Sequence, residues 1–201
     1  MQPIQTKYNG CLFRSKLEAQ WAVFFDACHA DWEYEPEGYK LSNGQCYLPD
    51  FLLHDVYLCH GGDKPSPPID LYVEVKGKMQ DEDAKKIKRF VSDGFISFTS
   101  WPYCTETPTL VVGRLPVGET IDEMDQDIIT RAYRNMSTGK ECIHEFNFDT
   151  VDFDNYEALP GVGKFGGFML FGSNYIGYRN HKKTKEAFLC AKMKRFDHGG
   201  K

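Results

Sequence analysis

Leu71-Tyr72-Val73-Glu74-Val75-Lys76-Gly77 constrains the fold more than any other stretch of this 201-residue chain. Its alternation and its β-branched and aromatic residues predict a strand. A period of two puts Leu71, Val73 and Val75 on one side and Tyr72, Glu74 and Lys76 on the other. A carboxylate and an ammonium thus stand two residues apart on one face of an apolar strand. Charges withdrawn from water need each other, a metal or a ligand. A second strand is predicted over Cys46 to Leu53, entered through the Asn43-Gly44 turn and carrying Pro49-Asp50. If Asp50 reaches the same spot, Asp50 and Glu74 offer hard oxygen ligands to Mg²⁺, with Lys76 beside them.

The preceding residues predict a helix. Ser15 is a good N-cap and Glu18 falls at N3, which makes a capping box. Leu17, Trp21, Phe24 and Cys28 recur at helical spacing, and Ala22 to Phe25 widens that stripe. Pro49-Asp50, the gap and Glu74-Val75-Lys76 then resemble the PD-(D/E)xK signature of the restriction-endonuclease-like nucleases. The wider stretch from Phe13-Arg14-Ser15-Lys16-Leu17-Glu18 through Trp21, and Tyr34-Glu35-Pro36-Glu37-Gly38, resembles small nucleases of this class among phage and bacterial genes. The resemblance spans roughly residues 11–98, under half of the chain.

That resemblance implies an α/β fold: a restriction-endonuclease-like core with a central mixed β-sheet flanked by helices. It implies a catalytic set of Glu18, Asp50, Glu74 and Lys76. The metal ligands would be Glu18, Asp50, Glu74 and the backbone carbonyl of Val75, holding Mg²⁺, with Mn²⁺ as a substitute and Ca²⁺ binding without turnover. The implied activity is metal-dependent hydrolysis of DNA phosphodiesters, endonuclease ahead of exonuclease, with RNA left open as a substrate. Two other classes compete. One is a nucleic-acid-binding module that keeps the fold but does not cut. The other is a phage-type interaction or inhibitor factor using an acidic surface. Glu18 itself has two readings, helix cap and metal ligand.

Composition bounds the rest. The chain is 41% hydrophobic with a net charge of −5, which argues against wholesale disorder and against a protein that coats nucleic acid. Its seven cysteines contain no CxxC pair, so reduced thiols are expected rather than zinc ligands. No apolar run reaches membrane-spanning length, and the start of the chain lacks a secretory pattern. An intracellular setting, the cytoplasm of a bacterium or of a phage-infected host, is expected, with no membrane partner. The oligomeric state is left open, a dimer included.

Residues 1–115 read as the nuclease core and residues 116–201 as an extension packed on it. His54 to Asp70 reads as an insertion of loop composition. A helix is predicted from about Asp81 to Ser92, with Ala84, Ile87, Phe90 and Val91 as its apolar side and Gly94 as its stop. Strands over Phe95 to Thr99 and Thr109 to Gly113 would complete a crossover unit. Asp122, Glu123, Asp125 and Asp127 read as solvated surface before a short helix from Ile128 to Met136. A strand is expected over Glu141 to Phe148, with His144 packed. The final helix, His181 to Phe196, shows a narrow stripe of Leu189, Met193 and Phe196. From residue 182 onward seven cations oppose two carboxylates, a local +5 that leaves −10 for the rest of the chain. Lys182, Lys183, Lys185, Lys192, Lys194 and Arg195 are therefore candidates for contact with a nucleic-acid backbone, against ordinary surface charge as the rival.

Overall fold

The computed structural model of the chain describes residues 4–59, 67–95, 107–136, 147–149, 156–164, 166–172 and 179–196. In chain order the elements are β1 (Thr6–Tyr8), β2 (Cys11–Phe13), α1 (Lys16–Ala27), β3 (Asp31–Tyr34), β4 (Tyr39–Lys40), β5 (Cys46–Tyr47), β6 (Phe51–Cys59) and β7 (Ile69–Val75). They continue with α2 (Asp81–Asp93), β8 (Thr109–Val112), α3 (Ile121–Met136), β9 (Asn147–Asp149), β10 (Tyr156–Val162), β11 (Phe168–Gly172) and α4 (His181–Met193).

Seven strands form one sheet in the order β11-β10-β9-β8-β7-β6-β3. Because β11 also pairs with β6, six of them curl until the last meets the first. The sheet is mixed: β7–β8 and β6–β11 are parallel, while β6–β7 and β3–β6 are antiparallel. The expected crossover unit is present as β7, α2 and β8. Helices cover both faces. Leu71, Val73 and Val75 join a large core with α1 and α4, while Tyr72 and Val111 join a smaller one with α2. The period-two reading of the Glu74 strand is therefore the one the fold uses. Residues after 115 supply three strands of this sheet.

The first helix forms as its capping pattern dictates. Glu18 N donates to Ser15 Oγ at 3.1 Å, and Ser15 Oγ donates back to the Glu18 carboxylate at 2.7 Å. Trp21, Phe24, Phe25 and Cys28 are fully buried. Phe24 stacks on Phe188 of α4 with ring centroids 4.4 Å apart, and Trp21 Nε1 donates to the Gly113 carbonyl at 2.7 Å. In α2 the predicted apolar side is buried residue for residue, and Gly94 closes the helix at φ +64°, a left-handed cap that glycine adopts without a Cβ penalty.

Several expectations are corrected. The segment from His54 to Asp70 is not wholly an insertion: β6 runs on to Cys59 and β7 starts at Ile69, so the hairpin arms are longer than the sequence suggested. Charged residues disguise these arms. His54 stands between Asp70 at 3.1 Å and Glu33 at 3.3 Å, and Asp55 takes φ +52° where the β6–β7 register shifts, a bulge. Cys46–Tyr47 is a separate strand, paired with β4 in a small ribbon outside the main sheet. The acidic run after Thr120 opens α3, where its charges suit the helix N-terminus. Asp125 within it is not solvated but buried, and pairs with buried Arg179. The α4 stripe holds only in part. Phe196, just past the helix end, is buried and Leu189 packs against the core, but Met193 is 75% exposed and Cys190 is exposed, and the buried side of the helix is Thr184, Ala187, Phe188 and Ala191. Small residues there let α4 lie close on α1 and β10; a Cβ on Gly161 would meet Arg179 and Thr184 at 2.6 and 2.8 Å.

The predicted strand over residues 96–99, most of that over 141–146 with His144, and the cysteines at 104 and 142 lie outside the described residues. The five described cysteines are free thiols. Among the described residues no helix is long and apolar enough to cross a membrane.

Candidate active site

The candidate residues meet because β6 and β7 are antiparallel. Phe51 pairs with Val73 and Leu52 with Tyr72, so one step further along Asp50 stands opposite Glu74. Twenty-four positions apart in sequence, the two carboxylates become cross-strand neighbours at the end of the hairpin. Asp50 is 2% exposed and Glu74 3%. A cleft of about 490 Å³ opens onto them, lined also by Arg14, Glu18, Tyr47, Lys76 and Lys86.

Each carboxylate is held by one neutral donor and one cation. The Val75 amide donates to Asp50 Oδ2 at 2.7 Å, and the Arg14 guanidinium pairs with Asp50 Oδ1. The Tyr47 hydroxyl donates to Glu74 Oε2 at 2.6 Å, and Lys76 Nζ stands 2.6 Å from Glu74 Oε1. Arg14 also reaches Glu35 at 2.8 Å, and Lys76 approaches Asp83 at 3.8 Å. Lys76 is thus beside Glu74, as the strand period required.

Electrostatics distinguish the partners. Burial, then the Glu74 charge, pushes Asp50 up to about 8, against the pull of the Val75 amide and Arg14. Burial would lower Lys76, but Glu74, with Asp50 and Asp83 behind it, outweighs burial and raises the ammonium further. Burial and the Glu74 carboxylate push the Tyr47 hydroxyl well above its usual range, so it remains a donor.

Glu18 borders the same cleft, but its carboxylate already accepts three hydrogen bonds. Tyr34 donates to Oε2 at 2.7 Å, the Arg14 amide to Oε2 at 3.1 Å, and Ser15 to Oε1. Its charge is nonetheless felt at Asp50, which it pushes upward. Among the described residues no three Asp, Glu, His or Cys side chains stand together as a ready metal cage. Two buried, mutually repelling carboxylates still suit Mg²⁺, which commonly binds through one or two carboxylates and keeps several waters.

The basic C-terminal candidates do not form one patch. Lys182, Lys183 and Lys185 lie at the start of α4, whereas Lys192, Lys194 and Arg195 lie at or beyond its end. Lys182 and Lys194, the latter capping the helix end, are twelve positions apart, ~18 Å at 1.5 Å per residue. Lys194 and Arg195 border a groove of about 450 Å³ with Lys7 and Tyr8, and Lys194 Nζ lies 5.2 Å from the Tyr8 ring centre.

Sequence reasoning missed Arg14, Tyr34 and Tyr47 as parts of the site, whereas the run Lys85, Lys86, Lys88 and Arg89 reads from sequence either as helix-dipole matching or as an approach to phosphate. Arg14 belongs to the quoted Phe13-to-Glu18 motif, a signal that could have found it. Tyr47 lies three residues before Asp50 but acts on Glu74, which only the hairpin register reveals. No protein-family model, curated protein or solved structure matches the chain.

Proposed function

We propose that the chain is a divalent-metal-dependent nuclease that hydrolyses phosphodiester bonds in DNA, acting as an endonuclease. The observation that carries this reading is the opposition of Asp50 and Glu74 across the β6–β7 register, both buried and both facing an open cleft with Lys76 on Glu74. It agrees with the role the PD-(D/E)xK resemblance gives these residues.

Asp50, Glu74 and the Val75 carbonyl would hold Mg²⁺ or Mn²⁺, with Glu18 able to join by giving up a hydrogen bond from Tyr34 or Arg14. The bound ion supplies Lewis-acid polarisation of the phosphoryl oxygen and a more acidic water. The protein's own contribution is orientation and charge. The Val75 amide fixes one oxygen of Asp50, and Tyr47 fixes one of Glu74, leaving each carboxylate a second oxygen whose partner is a cation. Lys76, kept protonated by its neighbours, offsets negative charge growing on the phosphoryl oxygens and orients the attacking water. Arg14, half exposed at the cleft, offers a second positive group to the substrate.

A non-cutting nucleic-acid-binding module is the competing reading. One observation favours it: Arg14 and Lys76 already neutralise both carboxylates without a metal. Incubating the protein with supercoiled, linear and single-stranded DNA in Mg²⁺, Mn²⁺, Ca²⁺ or chelator separates the two. The nuclease reading expects Mg²⁺- and Mn²⁺-dependent nicking of the supercoiled form; intact DNA under every condition supports the binding module.

A further inference from the structure

We propose that the basic face of α2, led by Lys86, is a binding site for the phosphodiester backbone flanking the cleft; this rests on the nuclease reading for its substrate. Three cations line the cleft: Arg14, Lys76 and Lys86. Arg14 is paired with Asp50 and Glu35, and Lys76 with Glu74 and Asp83. Lys86 makes no ion pair among the described residues. Its ammonium instead stands 5.6 Å from the centre of the Tyr47 ring, whose hydroxyl donates to Glu74. One tyrosine therefore separates an unneutralised cation from the carboxylate pair. An anion entering the cleft meets positive charge that is still available at Lys86.

The same helix continues this charge away from the cleft. Arg89, three residues on and on the same side of the helix as Lys86, lines a second groove of about 480 Å³ with Asn43, Gln45, Glu82, Lys85, Lys88 and Ser92; it makes no ion pair among the described residues, although Asp93 feels its charge. Arg89 Nη1 is 3.4 Å from Ser42 Oγ, a neutral contact. Lys85 is spoken for by Glu82 at 2.8 Å. Helix-dipole matching does not account for these cations, because that effect is confined to the end turns and the last turn of α2 has no basic residue. Lys86 and Arg89 are ~4.5 Å apart along the helix axis. One strand of a duplex presents a charge every ~3.4 Å of its axis. Residues three apart share a helix side, so Lys86 and Arg89 can each reach a phosphate of the strand whose scissile phosphate would lie at Asp50 and Glu74.

The test is binding of a short fluorescein-labelled DNA duplex to the full chain, followed by anisotropy over a salt series in chelator. Lys86→Gln and Arg89→Gln are combined in one variant. The buried side of α2 is untouched, so the melting temperature is expected to stay at the wild-type value. The expected result is at least ~10-fold weaker binding and a log–log salt slope shallower by ~1.8, or ~0.9 for each phosphate no longer neutralised. Returning Lys86 alone to that variant should recover ~0.9 of the slope. Unchanged affinity and slope would overturn the proposal. Wild-type cleavage in Mg²⁺, scored in parallel, tests the nuclease reading separately. Weaker binding by the variant with no wild-type cleavage keeps the phosphate site and removes the nuclease reading. Wild-type cleavage with unchanged variant binding does the reverse.

Discussion

Replacing Asp50 with Asn should change how stability depends on pH, by an amount the structure sets. Asp50 moves from an ordinary 3.8 to about 8, so at ~1.4 kcal/mol for each pKa unit, ionising it in the metal-free fold costs on the order of 6 kcal/mol. A group whose folded-state value is raised stabilises fully below the unfolded value and loses that contribution as pH rises through the folded one. Between about pH 4 and 8 the wild type should lose up to ~1.4 kcal/mol per pH unit from this carboxyl. The substituted amide would keep an oxygen for the Val75 N–H while carrying no charge. Urea unfolding in chelator at intervals from pH 4.5 to 9 gives the two stability curves. Their difference cancels the titrating groups remote from Asp50 and should move in favour of the Asp50→Asn variant by at least ~2 kcal/mol over that range. Saturating Mg²⁺ should remove most of the wild-type decline, because the ion replaces the proton. A difference constant to within ~0.5 kcal/mol would refute the account of Asp50 as a carboxylate forced toward protonation by burial and Glu74.

The remaining expectations concern its neighbours. Lys76→Met should retain the fold and Mn²⁺ binding while slowing single-turnover cleavage at least ~100-fold; an unchanged rate in saturating Mg²⁺ would remove Lys76 from the reaction. Glu18→Gln keeps an acceptor for Tyr34 and should cost under ~1 kcal/mol in chelator. It should raise the Mg²⁺ concentration giving half-maximal cleavage, and a superimposable Mg²⁺ curve would leave Glu18 as a helix cap alone. Phe188→Ala opens the α1–α4 contact and should cost ~3–5 kcal/mol, read by urea unfolding; a loss below ~1 kcal/mol would mean α4 contributes little to the core.

What the sequence revealed and what it hid follow from the range of the forces involved. The Ala84-Ile87-Phe90-Val91 side of α2 was legible because large apolar side chains at helical spacing leave a local signal. The buried side of α4 was not: Ala187 and Ala191 carry little hydrophobic weight, yet they permit close approach to α1, while the conspicuous Met193 is left in solvent. The far ends of β6 and β7 were obscured because His54, Asp55 and Asp70 look like loop residues until cross-strand partners satisfy them. The Asp50, Glu74 and Lys76 set came from strand period and motif together. Their companions Arg14 and Tyr47 depend on a hairpin register and on the β4–β5 ribbon, which are long-range facts.

The proposed divalent-metal centre of Asp50 and Glu74 can be probed apart from catalysis. Mn²⁺ titration followed by electron paramagnetic resonance, on the wild type and on Asp50→Asn and Glu74→Gln, tests it without requiring cleavage. A site shared by both carboxylates should give saturable Mn²⁺ binding to the wild type, displaced by Mg²⁺ and weakened at least ~10-fold by either substitution, since each removes an anionic oxygen from a hard cation. Equal Mn²⁺ binding by all three proteins, or none by the wild type, would contradict it.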